Sequence, residues 1–185
     1  MNPALGLDGI SGFVSAAATI SPIDAPSEFS VEIWFKTRTT RGGKLIGFGS
    51  SRDASSGSYD RHVYMLNSGR LVFGVYDGAQ ETITSPAVYN DGAWHHVVAS
   101  LPSSWDGDMH LYVDGQLVAS ESRVERLDSY RGFWRFGYDN LNGWVNTDRT
   151  PAAASFYFVG TIDDAAVYNT VLSSGQITSH FNAGR

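Results

Sequence analysis

The chain has 185 residues, a formal net charge of −6 and no cysteine. This length fits one domain, residues 1–185, and the lack of cysteine excludes disulfide frameworks and thiolate metal sites. The acidic balance disfavours partners such as nucleic acid or anionic lipid. Charged residues are only 17% of the chain, aromatics are 13% and there are 20 glycines, so the composition favours an all-β protein.

Strands are predicted along the whole chain from the alternation of apolar and polar residues. In the first clear case Phe29, Val31, Ile33 and Phe35 share one face of a strand. Two hairpins are predicted, with turns at Ser68-Gly69 and Asp114-Gly115, because glycine accepts a positive φ angle. The predicted strands are 29–35, 62–67, 70–77, 94–101, 109–113, 116–120, 133–138 and 156–168.

The end of the chain carries the helical signal. Ser173 and Gln176 have the spacing of a capping box, Ile177 and Phe181 lie four residues apart, and Gly184 can end the last turn. Long loops are predicted at 39–61 and 139–155, which are rich in turn residues. The expected fold is a two-sheet antiparallel sandwich with a short C-terminal helix.

Five local patterns occur in an order that resembles a known family. They are Leu7-Asp8-Gly9, 29–35, 91–98, 111–115 and 160–169, the last followed by the helix start. Together they resemble the laminin G-like branch of the concanavalin A-like lectin/glucanase superfamily. The resemblance implies a jelly-roll sandwich, in most cases a non-catalytic module of a secreted or cell-surface protein. It says less about the ligand, because one fold hosts many functions.

The same resemblance implies a structural calcium ion at Asp163, with Asp8 as the second side-chain ligand. Calcium takes six to eight oxygen ligands, which carboxylates and backbone carbonyls can supply. The alternative is that Asp8 forms a β-turn and that Asp163 accepts hydrogen bonds from local backbone amides. Both interpretations stay open at the level of sequence. Zinc is not expected, because the histidines have no ligand spacing.

Three clusters combine aromatic faces with polar side chains, as sugar binding requires. Trp144 is the main aromatic candidate of the first cluster. It is expected to be exposed, because its segment is rich in turn residues. In each cluster the aromatic residue could instead pin its own loop to a sheet. The candidate ligand-binding residues are Tyr138, Asp139, Asn142, Trp144 and Arg149 in the first cluster, Trp105 in the second, and Tyr59 and His62 in the third.

Strand parity gives further expectations for aromatic and histidine side chains. Trp94 is predicted to be a core residue that seals the two sheets. Trp34 points away from the apolar face of its strand, either onto a sheet surface or beneath a covering segment. His95 and His96 face opposite sides, so one is expected to be buried and hydrogen-bonded and the other exposed.

No catalytic pattern is found. The Glu-x-Asp-x-(x)-Glu run of the related glucanases is missing, and Glu121 and Glu125 lack a carboxylate between them. The sequence therefore predicts a non-catalytic, carbohydrate-binding module of a larger extracellular protein. The alternatives are a protein-interaction, adhesive or structural domain, and a glycosidase whose acids come from separate strands. No export signal or apolar run long enough to cross a bilayer is visible in the sequence.

Overall fold

The computed structural model describes residues 4–16, 21–103, 107–124, 127–144 and 156–184. The helix is α1 (Ser174–Ala183). The strands are β1 (Leu5–Asp8), β2 (Val14–Ala16), β3 (Ile23–Asp24), β4 (Phe29–Lys36), β5 (Gly43–Gly49), β6 (Tyr59–Met65), β7 (Arg70–Tyr76), β8 (Gln80–Val88), β9 (Trp94–Leu101), β10 (Gly107–Val113), β11 (Gln116–Val124), β12 (Arg131–Phe136) and β13 (Val159–Tyr168).

The strands form two antiparallel sheets that pack face to face. The first sheet has the order β1-β13-β4-β9-β10-β11, and the second has the order β2-β12-β5-β6-β7-β8, with β3 also pairing with β12. Their facing sides enclose an apolar core to which both sheets contribute. The predicted all-β antiparallel sandwich is therefore confirmed.

The core follows the parity that the sequence predicted for β4. Phe29 and Phe35 are completely buried, and the ring of Phe29 lies 5.8 Å from that of Trp134 on β12. Trp134 also contacts Phe48 of β5, with ring centroids 5.2 Å apart. Burial of such side chains stabilises the fold by about 1.5 to 3 kcal/mol each, which compensates for the lack of disulfides.

The predicted hairpins and the C-terminal helix are present. Asp114 and Gly115 both have positive φ angles, 53° and 78°, as a two-residue type I′ turn between β10 and β11 requires. At the start of α1, the Ser173 hydroxyl accepts from the Gln176 amide and the Gln176 side chain accepts from the Ser173 amide. Ile177 is fully buried against the outer side of the first sheet.

The prediction of one long loop at 39–61 was wrong. Strand β5 lies inside that segment, and β6 begins at Tyr59. Strand β5 pairs with β12 on one side and β6 on the other, and every one of its residues is buried. A strand covered on both faces has no polar side to reveal its period, so alternation could not identify it.

The prediction that Trp94 belongs to the core was also wrong. Trp94 is 40% exposed, on the outer side of the first sheet. His96 and Trp34 lie on the same side but are covered by α1, where Phe181 stacks on Trp34 at 5.8 Å. Trp34 thus lies beneath a covering segment, one of the two placements expected for it.

His95 and His96 lie on opposite sides of the sheet, as parity predicts, but the expectation that one of them is exposed was wrong. His96 is fully buried and its Nε2 lies 3.0 Å from Glu32. The His95 side chain is 12% exposed and lies between Asp114 and Asp91.

Candidate functional site

A pocket lies at the end of the second sheet where β6 begins, β7 ends and β8 begins. We call it the rim pocket, and its volume is about 230 Å³. Backbone and side chains from the sheet meet the segments 57–58, 128–130 and 142–144 here. Its lining residues are Gly57, Ser58, Tyr59, Asp60, Tyr76, Gln80, Asp128, Tyr130, Asn142 and Trp144.

One wall of the rim pocket is the segment 139–144, which is fastened to the sheet by hydrogen bonds. The buried Asp139 carboxylate accepts from the Ser56 amide at 3.0 Å and from the Ser56 hydroxyl at 2.8 Å. The Tyr59 hydroxyl donates to the Asn142 carbonyl at 2.7 Å, and Gln80 Nε2 donates to the Gly143 carbonyl at 2.9 Å. The wall is therefore held in place before any ligand arrives.

Trp144 is not the exposed side chain that its turn-rich segment suggested. It is only 5% exposed, and its ring packs at 4.2 Å on the His62 ring. Gly74 of β7 leaves the space that the indole fills, because a Cβ atom there would lie 2.6 Å from Trp144 Cζ3. The residue pins its segment to the sheet, as in the alternative interpretation, while part of it still lines the rim pocket.

The opposite wall is organised by a buried ion pair. Arg61 Nη1 lies 2.6 and 2.7 Å from the two Asp60 oxygens, and both side chains are about 1% exposed. Tyr130 donates its hydroxyl to Asp60 at 2.6 Å, and the Tyr76 amide donates at 3.3 Å. Burial raises the pKa of the Asp60 carboxyl, and Arg61 opposes that shift. The Asp60 oxygens are thus fully engaged within the protein.

The structure brings together part of the predicted set. Tyr59, Asn142 and Trp144 come from two sequence clusters and line the same pocket. His62 is fully buried beneath Trp144, and burial, with the nearby Lys44 charge, holds its pKa well below the usual range. It supports the pocket without lining it.

Two other predicted residues have structural partners outside the pocket. Asp139 anchors the wall from below, as described above. Tyr138 stacks on Tyr157 at 3.7 Å and lies near the buried Arg135 guanidinium. Trp105 and Arg149 lie outside the described residues, so their roles stay predictions.

Sequence reasoning missed four side chains of the rim pocket. Tyr76, Gln80, Asp128 and Tyr130 were not singled out, although all four line it. Tyr76 could have been found, because it ends a predicted strand close to the turn before β8. Asp128 and Tyr130 could not, since only the packing of the two sheets places their segment beside β6.

The two predicted calcium ligands do not converge on one ion. In the antiparallel pairing of β1 with β13, Leu5 lies opposite Ile162 and Asp8 lies opposite Val159. Continuing this register by one residue places Asp163 opposite position 4, which is four residues away from Asp8 along the chain. At about 3.4 Å per residue this separation is roughly 14 Å, whereas oxygens on one calcium ion lie within about 5 Å of each other.

Asp8 has other partners. Its carboxylate accepts from the amides of Ile10, Ser11 and Gly12 at 2.8 to 3.3 Å, which lowers its pKa to about 2. Across the described ranges, no group of three or more His, Cys, Asp or Glu residues is arranged to hold a metal ion. Calcium at Asp163 stays a prediction, and a site shared with Asp8 does not fit this geometry.

A second cavity, of about 630 Å³, lies beside α1 on the opposite sheet. Trp94 and Trp34 form part of its wall together with the carboxylates of Asp114, Asp163 and Asp164. The Asp114 carboxylate is engaged by His95 Nδ1 at 2.8 Å. The cavity therefore holds an exposed aromatic face, but it contains none of the predicted sugar-binding residues.

Helix α1 has ten residues, and no helix of the described part could span a membrane.

The solved structures that resemble this chain share its fold at low sequence identity. A sialidase CBM40 from Ruminococcus gnavus bound to α2,3-sialyllactose has 16% identity and a TM-score of 0.67, and the match covers 97% of both chains. A heptameric SAP-like pentraxin from Limulus polyphemus has 16% identity and a TM-score of 0.65, covering 94% of this chain and 78% of that one. Domains LG4-5 of the mouse laminin α1 chain have 18% identity and a TM-score of 0.59, covering 92% of this chain and 43% of theirs.

Several further neighbours are binding domains of toxins, including that of botulinum neurotoxin serotype G. At these identities the neighbours show a shared fold. A comparison with the curated proteins found no match. The sequence matches the Laminin_G_3 family over residues 8–178, which is most of the chain. The chain therefore belongs to this family of the concanavalin A-like lectin/glucanases superfamily.

Proposed function

We propose that this chain is a carbohydrate-binding module and that the rim pocket is its binding site. The observation that carries the proposal is the convergence of three aromatic side chains, Tyr59, Tyr76 and Trp144, with the amides of Gln80 and Asn142 in one cavity. A pyranose has an apolar face that packs on aromatic rings and a rim of hydroxyls that pairs with amides and carboxylates. The pocket offers both kinds of surface within the width of a sugar.

The size of the pocket suggests how much of a glycan it holds. Its volume of about 230 Å³ lies below the roughly 300 Å³ at which drug-sized pockets begin, so it suits one terminal sugar ring. Because Asp139 and Tyr59 already order the wall, little entropy would be lost on binding. One such site binds weakly, and several modules on one parent chain would raise the avidity. We place that parent outside the cell, as the family resemblance implies.

Hydrolysis is not part of the proposal. A glycosidase needs two carboxyl groups that reach the scissile bond, one of them able to give a proton. Asp60 is saturated by Arg61, Tyr130 and the Tyr76 amide, so it is unsuited to either role. Asp128, the other carboxylate of the described lining, would act alone.

The proposal is tested by glycan-array screening of the intact chain, followed by calorimetry with the sugars that bind. Tyr76→Ala removes an aromatic wall and Gln80→Ala removes an amide, and each is expected to weaken binding by about threefold to tenfold. Tyr112→Ala is the matched control, since Tyr112 lies on the other sheet. Unchanged affinity in both pocket variants would move the site elsewhere.

A protein-binding role is the second candidate, supported by exposed apolar residues at the sheet edges. Leu5 of β1 is 42% exposed, Val14 of β2 is 39% and Ile10, in the connection between them, is 73%. Edge strands with apolar side chains can pair with another polypeptide. If a partner protein binds, Val14→Asp should abolish that binding while Tyr76→Ala should leave it intact.

A further inference from the structure

The charged residues among the described lining of the rim pocket are all acidic. They are Asp60 and Asp128, and none of the described lining residues is a lysine, arginine or histidine. Asp128 is an exposed residue of this lining, so its carboxylate adds negative charge at the pocket. The charge that a ligand carries should therefore matter.

Among the described residues, Arg61 contacts the lining of the pocket, but it cannot serve a ligand. Beyond its two bonds to Asp60, Arg61 donates from Nε to the Pro26 carbonyl at 2.8 Å and from Nη2 to the Asp128 carbonyl at 2.8 Å. The Arg61 side chain is 1% exposed. The guanidinium thus neutralises Asp60 and ties three segments together, and a carboxylate on a sugar cannot reach it.

Two further cations of the described residues lie behind this face of the sheet. They are Lys44 and Arg135, and both are completely buried. Burial lowers the pKa of Lys44 to about 8, so its amine is mostly protonated at neutral pH. Its Nζ lies 5.7 Å from the centroid of the Tyr59 ring, and the buried side chain is out of reach of a ligand.

We propose that the rim pocket selects uncharged or amine-bearing sugars and rejects sugars that carry a carboxylate. The inference rests on the proposed function and names its ligand class. It differs from the ligand of the Ruminococcus gnavus CBM40 structure, which is bound to α2,3-sialyllactose. The reason is physical: an acidic sugar would meet the Asp128 carboxylate without any accessible cation of the described lining to compensate.

The experiment compares sugars that differ in charge and little else. Calorimetry or NMR titration of the intact chain would measure the affinity for glucose, glucosamine and glucuronic acid, and for the three corresponding sugars of the galactose series. Lactose would be compared with α2,3-sialyllactose in the same way, and EDTA would be present in every titration. We expect each carboxylate form to bind about tenfold more weakly than its neutral counterpart, the size of effect that a nearby unit charge produces at a protein surface. The difference should shrink as NaCl rises from about 0.05 M to about 0.5 M.

Two variants test whether this selectivity arises in the rim pocket. Asp128→Asn should reduce the difference in affinity between neutral and acidic sugars, and it keeps the backbone carbonyl that Arg61 contacts. Asp108→Asn is the matched control, an exposed aspartate on β10 of the other sheet that should leave the gap unchanged. Equal effects of the two variants would contradict the inference.

The possible outcomes separate this inference from the proposed function. Binding of neutral sugars with weak or absent binding of acidic ones supports both. Binding of the acidic forms as tightly as the neutral forms overturns the charge selectivity and leaves the sugar site standing. If no sugar of any charge binds, the proposed function fails and the inference fails with it.

Discussion

Gly74→Ala tests how the wall of the rim pocket is held on the sheet. A Cβ atom at this position would lie 2.6 Å from Trp144 Cζ3 and 3.1 Å from His62 Nε2. Ordinary contacts begin near 3.4 Å, so the indole would have to move by about 0.8 Å, the difference between 3.4 and 2.6 Å. Trp144 is 5% exposed and rests on His62, which leaves it little space to retreat.

The expected cost of this substitution follows from overpacking. Extra atoms in a close-packed cluster destabilise a protein by about 1 to 3 kcal/mol. Without the clash, alanine in place of a strand glycine would be neutral or stabilising by several tenths of a kcal/mol. Most of the measured loss is therefore attributable to contact with Trp144.

Urea unfolding and a double-mutant cycle provide the assay. Gly74→Ala should lose about 1 to 3 kcal/mol in the wild-type background and almost nothing in a Trp144→Ala background. Gly6→Ala on β1 is the control, because nothing lies within 4 Å of a Cβ atom there. The same loss in both backgrounds would refute the packing of Trp144 on Gly74.

Three further predictions concern the rest of the chain. Burial lowers the pKa of His95, but hydrogen bonds to Asp114 and Asp91 raise it more, so the pKa in the folded state lies above the usual value. The protonated ring therefore stabilises the fold fully below about pH 6.5, and this contribution is lost as pH rises through the folded-state pKa. His95→Gln should thus reduce the free energy of unfolding more at about pH 5.5 than at about pH 8.5, and equal losses would contradict the ion pairs. Ser173→Ala should cost about 0.5 to 2 kcal/mol by removing the cap of α1, as measured by urea unfolding. If calcium binds at Asp163, calcium should raise the melting temperature of the EDTA-treated protein and Asp163→Asn should remove the rise; no rise in the wild type would remove the site.

Alternation in the sequence was enough to predict the sandwich, because half-buried antiparallel strands show their period directly. Strand β4 is the clearest case, with Phe29 and Phe35 in the core and Trp34 on the other side. Strand β5 shows where alternation of apolar and polar residues fails to identify a strand. It is covered on both faces and carries the buried Lys44, so neither period nor polarity marked it as a strand.

The tryptophans show why a site is harder to predict than a fold. Trp94 was predicted to be buried and is exposed, whereas Trp144 was expected to be exposed, with pinning of its loop as the alternative, and is buried. Trp94 lies exposed at the cavity beside α1, and Trp144 is buried because Gly74, far away in sequence, leaves room for its ring. Both facts depend on tertiary neighbours, which strand parity and turn composition do not report. Whether residues 1–185 fold as one domain stays a prediction.

The central claim is that sugars bind at the rim pocket, and an NMR titration tests it most directly. The indole Nε1–H signals of Trp144 and Trp94 report on the rim pocket and on the cavity beside α1, respectively. With a neutral sugar that the array identifies, we predict shifts at Trp144 and at the amides of Tyr59, Tyr76 and Gln80, with the Trp94 signal unchanged. Shifts at Trp94 while Trp144 and the rim-pocket amides stay fixed would contradict the account.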